Sequence, residues 1–211
     1  MSVKTAGHGI PYSIRFLTLG LWIYVIGAIL PPMMMRAGFY RPASVLYTIY
    51  SFTCHQLPQR SFFLFGEHPV YTLEDLKERV GLERLPGYPW PRTFTGDPEI
   101  GWKIALCQRD LAIYGTMALT ATAMLLRRRP WRPLPIWAFL MFGLVPIALD
   151  GGSQFVSYVL ALIGPFTPRE STPFLRILTG ALFGSTFAWT LFSRLWLLEW
   201  AAWEERSRPM G

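Results

Sequence analysis

The sequence predicts an all-α, polytopic membrane protein with about four transmembrane helices, one short interfacial or re-entrant helix and an extracytoplasmic cap. Three observations carry this. Only 16% of the 211 residues are charged while 52% are hydrophobic, against about 25% charged in a soluble domain. The apolar residues are gathered into blocks long enough to cross a bilayer core of about 30 Å. Those blocks lack the short alternating runs of a barrel, and open sheets are excluded from lipid because their backbone would go unsatisfied.

The first block, Phe16–Met35, holds twenty uncharged residues between Arg15 and Arg36. It is too long for a signal-peptide core and reads as a retained helix. Pro31 and Pro32 are expected to end or bend it. Leu111–Leu126 becomes long enough if its helix starts near Trp102, which places Cys107, Arg109 and Asp110 in the first turns, facing protein or water. Pro133–Leu149 runs into Asp150, followed by Gly151 and Gly152, which weaken a helix. Ser153–Gly164 then reads as a surface or re-entrant half-helix, with one helix kinked at Pro146 as the alternative. Ile177–Ser193 is the last block. Its Gly180–Gly184 pair suggests close helix packing, and Trp196 and Trp200 suit an interface. One domain, 1–211, therefore has spans near 15–35, 104–126, 133–149 and 176–198.

Orientation follows from Arg127–Arg132, with four arginines and no acid in six residues. The positive-inside tendency puts this loop, and with it both termini, in the cytoplasm. An outer segment, 36–110, follows, with a cap at 66–101. Within it Pro42–Thr53 is apolar but too short to span. Thr72–Leu82 has a cap residue, early acids, later bases and a closing glycine, the pattern of a short helix. Residues 85–101 read as irregular chain. The net charge of +7 belongs largely to the membrane-flanking arginines and meets anionic headgroups. No nucleic-acid motif is present, and membrane lipids are the expected partners, with a membrane-protein partner or a homo-oligomer beside them.

Four polar stretches fall on the outer side of this topology: Cys54–Arg60, Cys107–Asp110, Leu149–Gln154 and Pro165–Arg176. Cys54 and Cys107, the only cysteines, can close a disulfide in an oxidising compartment. With His55 they can instead ligate a metal such as zinc, completed by His68 or Asp150. Asp150 is the sole formal charge between Pro133 and Pro168. It must be paired, hydrated or protonated, with Arg109, Arg60 and Arg176 as candidate partners. Cys54, Cys107, Arg109 and Asp150 are the candidate catalytic residues. Arg60, Arg109, Gln154, Arg169 and Arg176 are candidates for binding an anion or a lipid phosphate through paired guanidinium donors. The tyrosines of residues 47–52 and Tyr114 offer aromatic walls for a quinone. His8, in the N-terminal tail, is assigned no role.

The ordered motifs at Cys54–Phe62, Cys107–Thr116, Leu149–Gln154 and Arg169–Gly184 resemble the signature of domain-of-unknown-function family 2085, small predicted membrane proteins of bacteria and archaea. Gln108 and Ala112 stand where that family more often has a small residue and a glycine, and Glu67–Gly101 is longer than its usual connection. The resemblance implies that the polar motifs belong together in a multi-pass protein of a bacterial or archaeal plasma membrane. It brings no activity with it. An accessory or structural membrane role is the first expectation. The alternative is a membrane enzyme or redox protein that uses Cys54 and Cys107, or a bound metal with Asp150, on a quinone or lipid-like substrate. A lipid- or anion-binding transport component is the third.

Overall fold

A computed structural model describes residues 9–85, 87 and 91–207; His8 lies outside them. Most of the chain is helical: α1 (Tyr12–Arg36), α2 (Tyr40–Ser51), α3 (Leu73–Val80), α4 (Gln108–Arg127), α5 (Ile136–Phe139), α6 (Val145–Ile163) and α7 (Pro173–Arg206). Three helical runs are long and apolar enough to cross a membrane, namely Tyr12–Arg36, Ile136–Ile163 and Pro173–Arg206. Phe16, Ile23 and Ile26 on the first, and Phe142, Leu149 and Phe155 on the second, are exposed. Exposed apolar surface on this scale is the signature of a lipid-facing wall. The chain is a multi-pass membrane protein. α4, with 20 residues, has the length of a span, and its first turn is polar.

Several expectations need correction. The all-α reading misses a three-stranded antiparallel sheet of β1 (Ser61–Leu64), β2 (Gly96–Asp97) and β3 (Gly101–Cys107), in the order β1-β3-β2. The helix expected from Trp102 starts only at Gln108, because Trp102–Cys107 is the central strand, hydrogen-bonded on both sides. α1 runs through Pro31 and Pro32 to Arg36 rather than ending there. The half-helix expected after Gly152 is the continuation of α6. One helical run joins α5 to α6 through a π turn at Leu140–Leu144, directly before Pro146. Pro146 has no N–H to give to the preceding turn, and a π turn is a common way for a helix to absorb such a break. The alternative of one helix distorted near Pro146 is the one realised.

The chain divides into two compact units. The first comprises residues 1–22, 113–170 and 179–211. Its core joins Ile14, Ala121, Met124, Ala188, Phe192, Trp196 and Trp200. Trp22 Nε1 donates to Thr122 Oγ1 over 2.9 Å. The second comprises residues 23–112 and 171–178 and has two apolar clusters. One packs Ala28, Tyr47, Tyr50 and Cys54 against Ile104–Leu106 of β3. The other collects Phe63, Tyr71, Leu76, Val80, Leu85, Phe94 and Ile100, all but Phe63 from residues 66–101. Its helix α3 starts as predicted. Thr72 Oγ1 accepts the Asp75 N–H, and Asp75 accepts the Thr72 N–H in return, a complete capping box.

Candidate functional site

The second unit holds the cysteines. Cys54 follows α2 and is buried; Cys107 is the last residue of β3 and immediately precedes α4. The two are brought together, as either a disulfide or a shared metal requires, and stand here as free cysteines. The Cys107 N–H points at Cys54 Sγ, 3.3 Å away. The Asp110 N–H points at Cys107 Sγ over 3.5 Å, so the sulfur takes the place that a serine or aspartate oxygen occupies at a helix N-cap. A strand ending at Cys107 and a helix beginning at Gln108 turn Asp110 back onto both sulfurs. Cys54, Cys107 and Asp110 each offer a ligand atom, and these atoms lie within 4.8 Å of one another. The Cys54 thiol is held well above its usual range, first by its hydrogen bond with Cys107, then by burial, then by the negative charges that Cys107 and Asp110 carry when ionised. A proton on Cys54 relieves that crowding, and a divalent cation would do so more completely.

His55 was predicted as the nitrogen ligand. Its ring is not in the cluster; it is exposed, and its carbonyl accepts Arg92 Nε over 2.9 Å. His68, the other predicted completion, sits in the cap with Arg79 Nη2 3.2 Å from its Nε2. Neighbouring residues in an extended chain point apart, so the backbone that buries Cys54 turns His55 outward. Asp110 takes the third position. Its sequence signal is a spacing of three from Cys107, one helical turn, already present in the helix expected from Trp102.

Asp150 belongs to the first unit; Cys54, Cys107 and Arg109 belong to the second. Arg169, placed in sequence among the anion binders, pairs with it: Nη2 lies 2.9 Å from Asp150 Oδ1, while Nη1 reaches the Asp150 carbonyl and Ser153 Oγ at 3.0 and 2.9 Å. Gln154 Nε2 donates to Glu170 Oε2 over 2.6 Å, and Tyr158 donates to the other Glu170 oxygen. One face of α6 (Asp150, Ser153, Gln154, Ser157, Tyr158) therefore clasps the Arg169–Glu170 segment. A buried carboxylate and a mostly apolar helix account for this arrangement, since both polar groups need partners inside a membrane span.

Arg176 was a candidate for binding an anion or lipid phosphate and for pairing with Asp150. It is buried in the second unit, where Nη1 donates to the Gln59 carbonyl and to Gln108 Oε1, both at 3.2 Å. Gln108, fully buried, also donates to the Ser61 carbonyl. Arg60 closes the short 3-10 turn Pro58–Arg60, and Arg109 lies half-buried in the first turn of α4. Arg60, Arg109 and Arg176 thus belong to one unit, and Gln154 and Arg169 to the other. Of the tyrosines offered as aromatic walls for a quinone, Tyr47 and Tyr50 commit their hydroxyls to backbone: Tyr47 donates to the Lys103 carbonyl and Tyr50 to that of Tyr24.

Residues 98–190 match the family of predicted membrane proteins DUF2085. That stretch takes in Cys107, Asp110, Asp150 and Arg169, and leaves out Cys54. The uncharacterized protein MJ1492 of Methanocaldococcus jannaschii is similar at 26% identity over 170 residues, which is 78% of this chain and 80% of the relative. No solved structure matches. The likeness to the DUF2085 family of predicted membrane proteins thus covers residues 98–190, from the end of the cap segment into α7.

Proposed function

We propose that Cys54, Cys107 and Asp110 form a divalent-metal centre, zinc by ligand type, in a membrane enzyme that acts on a lipid-like substrate. The observation that carries this is the approach of three ligand atoms, from two thiols and a carboxylate, to within 4.8 Å of one another at a partly buried position. Two sulfurs and an oxygen suit a borderline-soft cation. Three protein ligands leave a fourth position for water or a substrate group, the pattern of catalytic rather than structural zinc. An accessory role alone gives no reason to crowd three ionisable groups where burial penalises their charge.

A second reading has its own support. The Cys107 N–H lies against Cys54 Sγ, and the two sulfurs lie within 4.8 Å of each other. Two thiols can pass two electrons and two protons to a quinone, leaving a disulfide and a quinol. One experiment separates the readings. The full-length protein, purified from zinc-supplied cells in detergent, is expected to hold about one equivalent of metal by plasma mass spectrometry, in line with closed zinc–thiolate sites. Cys54→Ser and Cys107→Ser should each abolish it, with Asp110→Asn weakening retention. Metal that stays in the double serine variant refutes the centre. A metal-free protein that loses two mass units on quinone addition, together with maleimide reactivity, establishes the redox reading instead.

The site is proposed to face the exterior of a bacterial or archaeal plasma membrane, with residues 36–110 outside, both termini inside and α4 as a fourth span. The basic loop Arg127–Arg132 supports this. A single cysteine at exposed Thr93, in a background with both native cysteines changed to serine, should react with an impermeant maleimide on intact cells. One at exposed Ser207 should react only after lysis. The reverse pattern inverts the topology.

A further inference from the structure

The second unit also contains a cavity of about 420 Å³ whose residues are not the metal ligands. One wall is α2, which presents Ser44, Thr48 and, between them, Tyr47; the other carries Arg92, Thr93 and Thr95, with His55 and Gln56 at one end. Among the described residues no aspartate or glutamate lines it. The spacing of the α2 residues explains the polar face: positions three and four apart share one side of a helix.

The charges around this cavity are not balanced. Arg92 makes no ion pair among the described residues. Instead Nε is fixed by the His55 carbonyl at 2.9 Å and Nη2 by that of Ser51 at 3.3 Å. Those bonds leave further guanidinium N–H groups uncommitted. Beneath the lining, Lys103 is fully buried, and its Nζ donates to the carbonyls of Gln56 and Arg92 at 2.6 and 2.7 Å. The Arg92 guanidinium and the Lys103 amine are therefore held near each other by neutral carbonyls alone. Gln56 is kept in the left-handed region, φ 52°, where a non-glycine residue is uncommon. Its side chain is tied to the Tyr47 carbonyl at 2.7 Å, and its own carbonyl receives Lys103. The arrangement is a built one, costly unless an anion is the usual occupant.

We infer that this cavity binds a phosphorylated polyol, with the phosphate on Arg92 and the ligand's hydroxyl groups among the serine and threonine hydroxyls of α2 and residues 93–95. A bare phosphate fills little of 420 Å³, a volume within the range of small-molecule sites. Hydroxyl-bearing walls satisfy a polyol by exchanging donors and acceptors. A soluble sugar or glycerol phosphate and a phosphatidylglycerol headgroup share this chemistry.

The full-length protein in detergent is titrated with glycerol 3-phosphate, inorganic phosphate and glycerol by calorimetry. It is then placed in nanodiscs of phosphatidylcholine with and without phosphatidylglycerol, and its retained lipid is read by native mass spectrometry. Glycerol 3-phosphate is expected to bind more tightly than phosphate, and glycerol not to bind. Selective retention of phosphatidylglycerol with little affinity for glycerol 3-phosphate assigns the lipid source; the opposite result assigns the soluble one. Arg92→Gln should weaken either ligand by about tenfold or more, the loss of a charged hydrogen bond. Thr48→Leu, at an exposed helical position, should block the cavity while leaving the circular-dichroism spectrum and melting midpoint unchanged. Cys54→Ser should bind like the wild type, so failure of the metal centre leaves this result standing. Binding unchanged in both Arg92→Gln and Thr48→Leu, equal affinity for glycerol and glycerol 3-phosphate, or no binding of any probe overturns the inference.

Discussion

Lys103→Met is expected to reverse its effect on stability between mildly acidic and alkaline pH. In the folded protein burial lowers the Lys103 pKa from 10.5 to about 7, with Arg92 adding to the effect and Cys54 opposing it. The unfolded chain therefore binds more protons than the folded one between about pH 7 and 10.5, and stability rises with pH across that window. Below it the full cost of a buried charge is present, on the order of 3–5 kcal/mol for a displacement of this size. Methionine fills the same space without the charge. It also strips the Gln56 and Arg92 carbonyls of their donor, at about 1–3 kcal/mol per buried orphan. The variant should match or exceed the wild type at pH 6 and fall below it at pH 9.5, so the two curves of melting midpoint against pH cross. The comparison removes the titration of every other group, which both proteins share. Parallel curves would show that Lys103 does not carry the proton deficit.

Burial of this lysine was not legible in the sequence, and the reason is general to the second unit. Residues 101–107 contain Trp, Ile, Ala and Leu on both sides of Lys103 and lead into a helical stretch, so a continuous helix is the simplest local reading. The strand exists because β1 and β2, 40 and 5 residues upstream, pair with it, and pairing at a distance leaves no local periodicity. The spans were more legible, since length and hydropathy alone determine them. So was α3, whose cap residues interact within one turn. Asp150 was legible as a charge that needs a partner, whereas the identity of Arg169 depended on how residues 165–170 fold back along α6. The cysteines were legible as a pair because there were no others.

The Gly180–Gly184 spacing gave a weak sequence signal for helix contact, and one of its two glycines supports the largest expected loss of stability in the first unit. A side chain at Gly184 of α7 would overlap the Ile113 carbonyl of α4 and Thr116 Oγ1. Thr116 Oγ1 also lies 3.3 Å from the Ala181 carbonyl, so the helices meet backbone to backbone here. A backbone carbonyl cannot rotate aside as a side chain can, and Gly184→Leu must push α4 and α7 apart along Ala118, Ala121 and Ala188, all fully buried. The expected cost is about 3 kcal/mol or more, above the usual 1–3 kcal/mol of core overpacking because the obstacle is main chain. Gly115, on α4 within the same unit, is the control: a side chain there meets nothing within 4 Å. Gly115→Leu replaces the poorest non-proline helix former with one of the best and should gain up to about 1 kcal/mol. Both variants add the same volume and the same apolar surface, so detergent partitioning and mean hydropathy change equally. Melting in detergent, followed by helical circular dichroism, should therefore separate them in opposite directions. Equal midpoints would mean that α4 and α7 do not meet through Gly184.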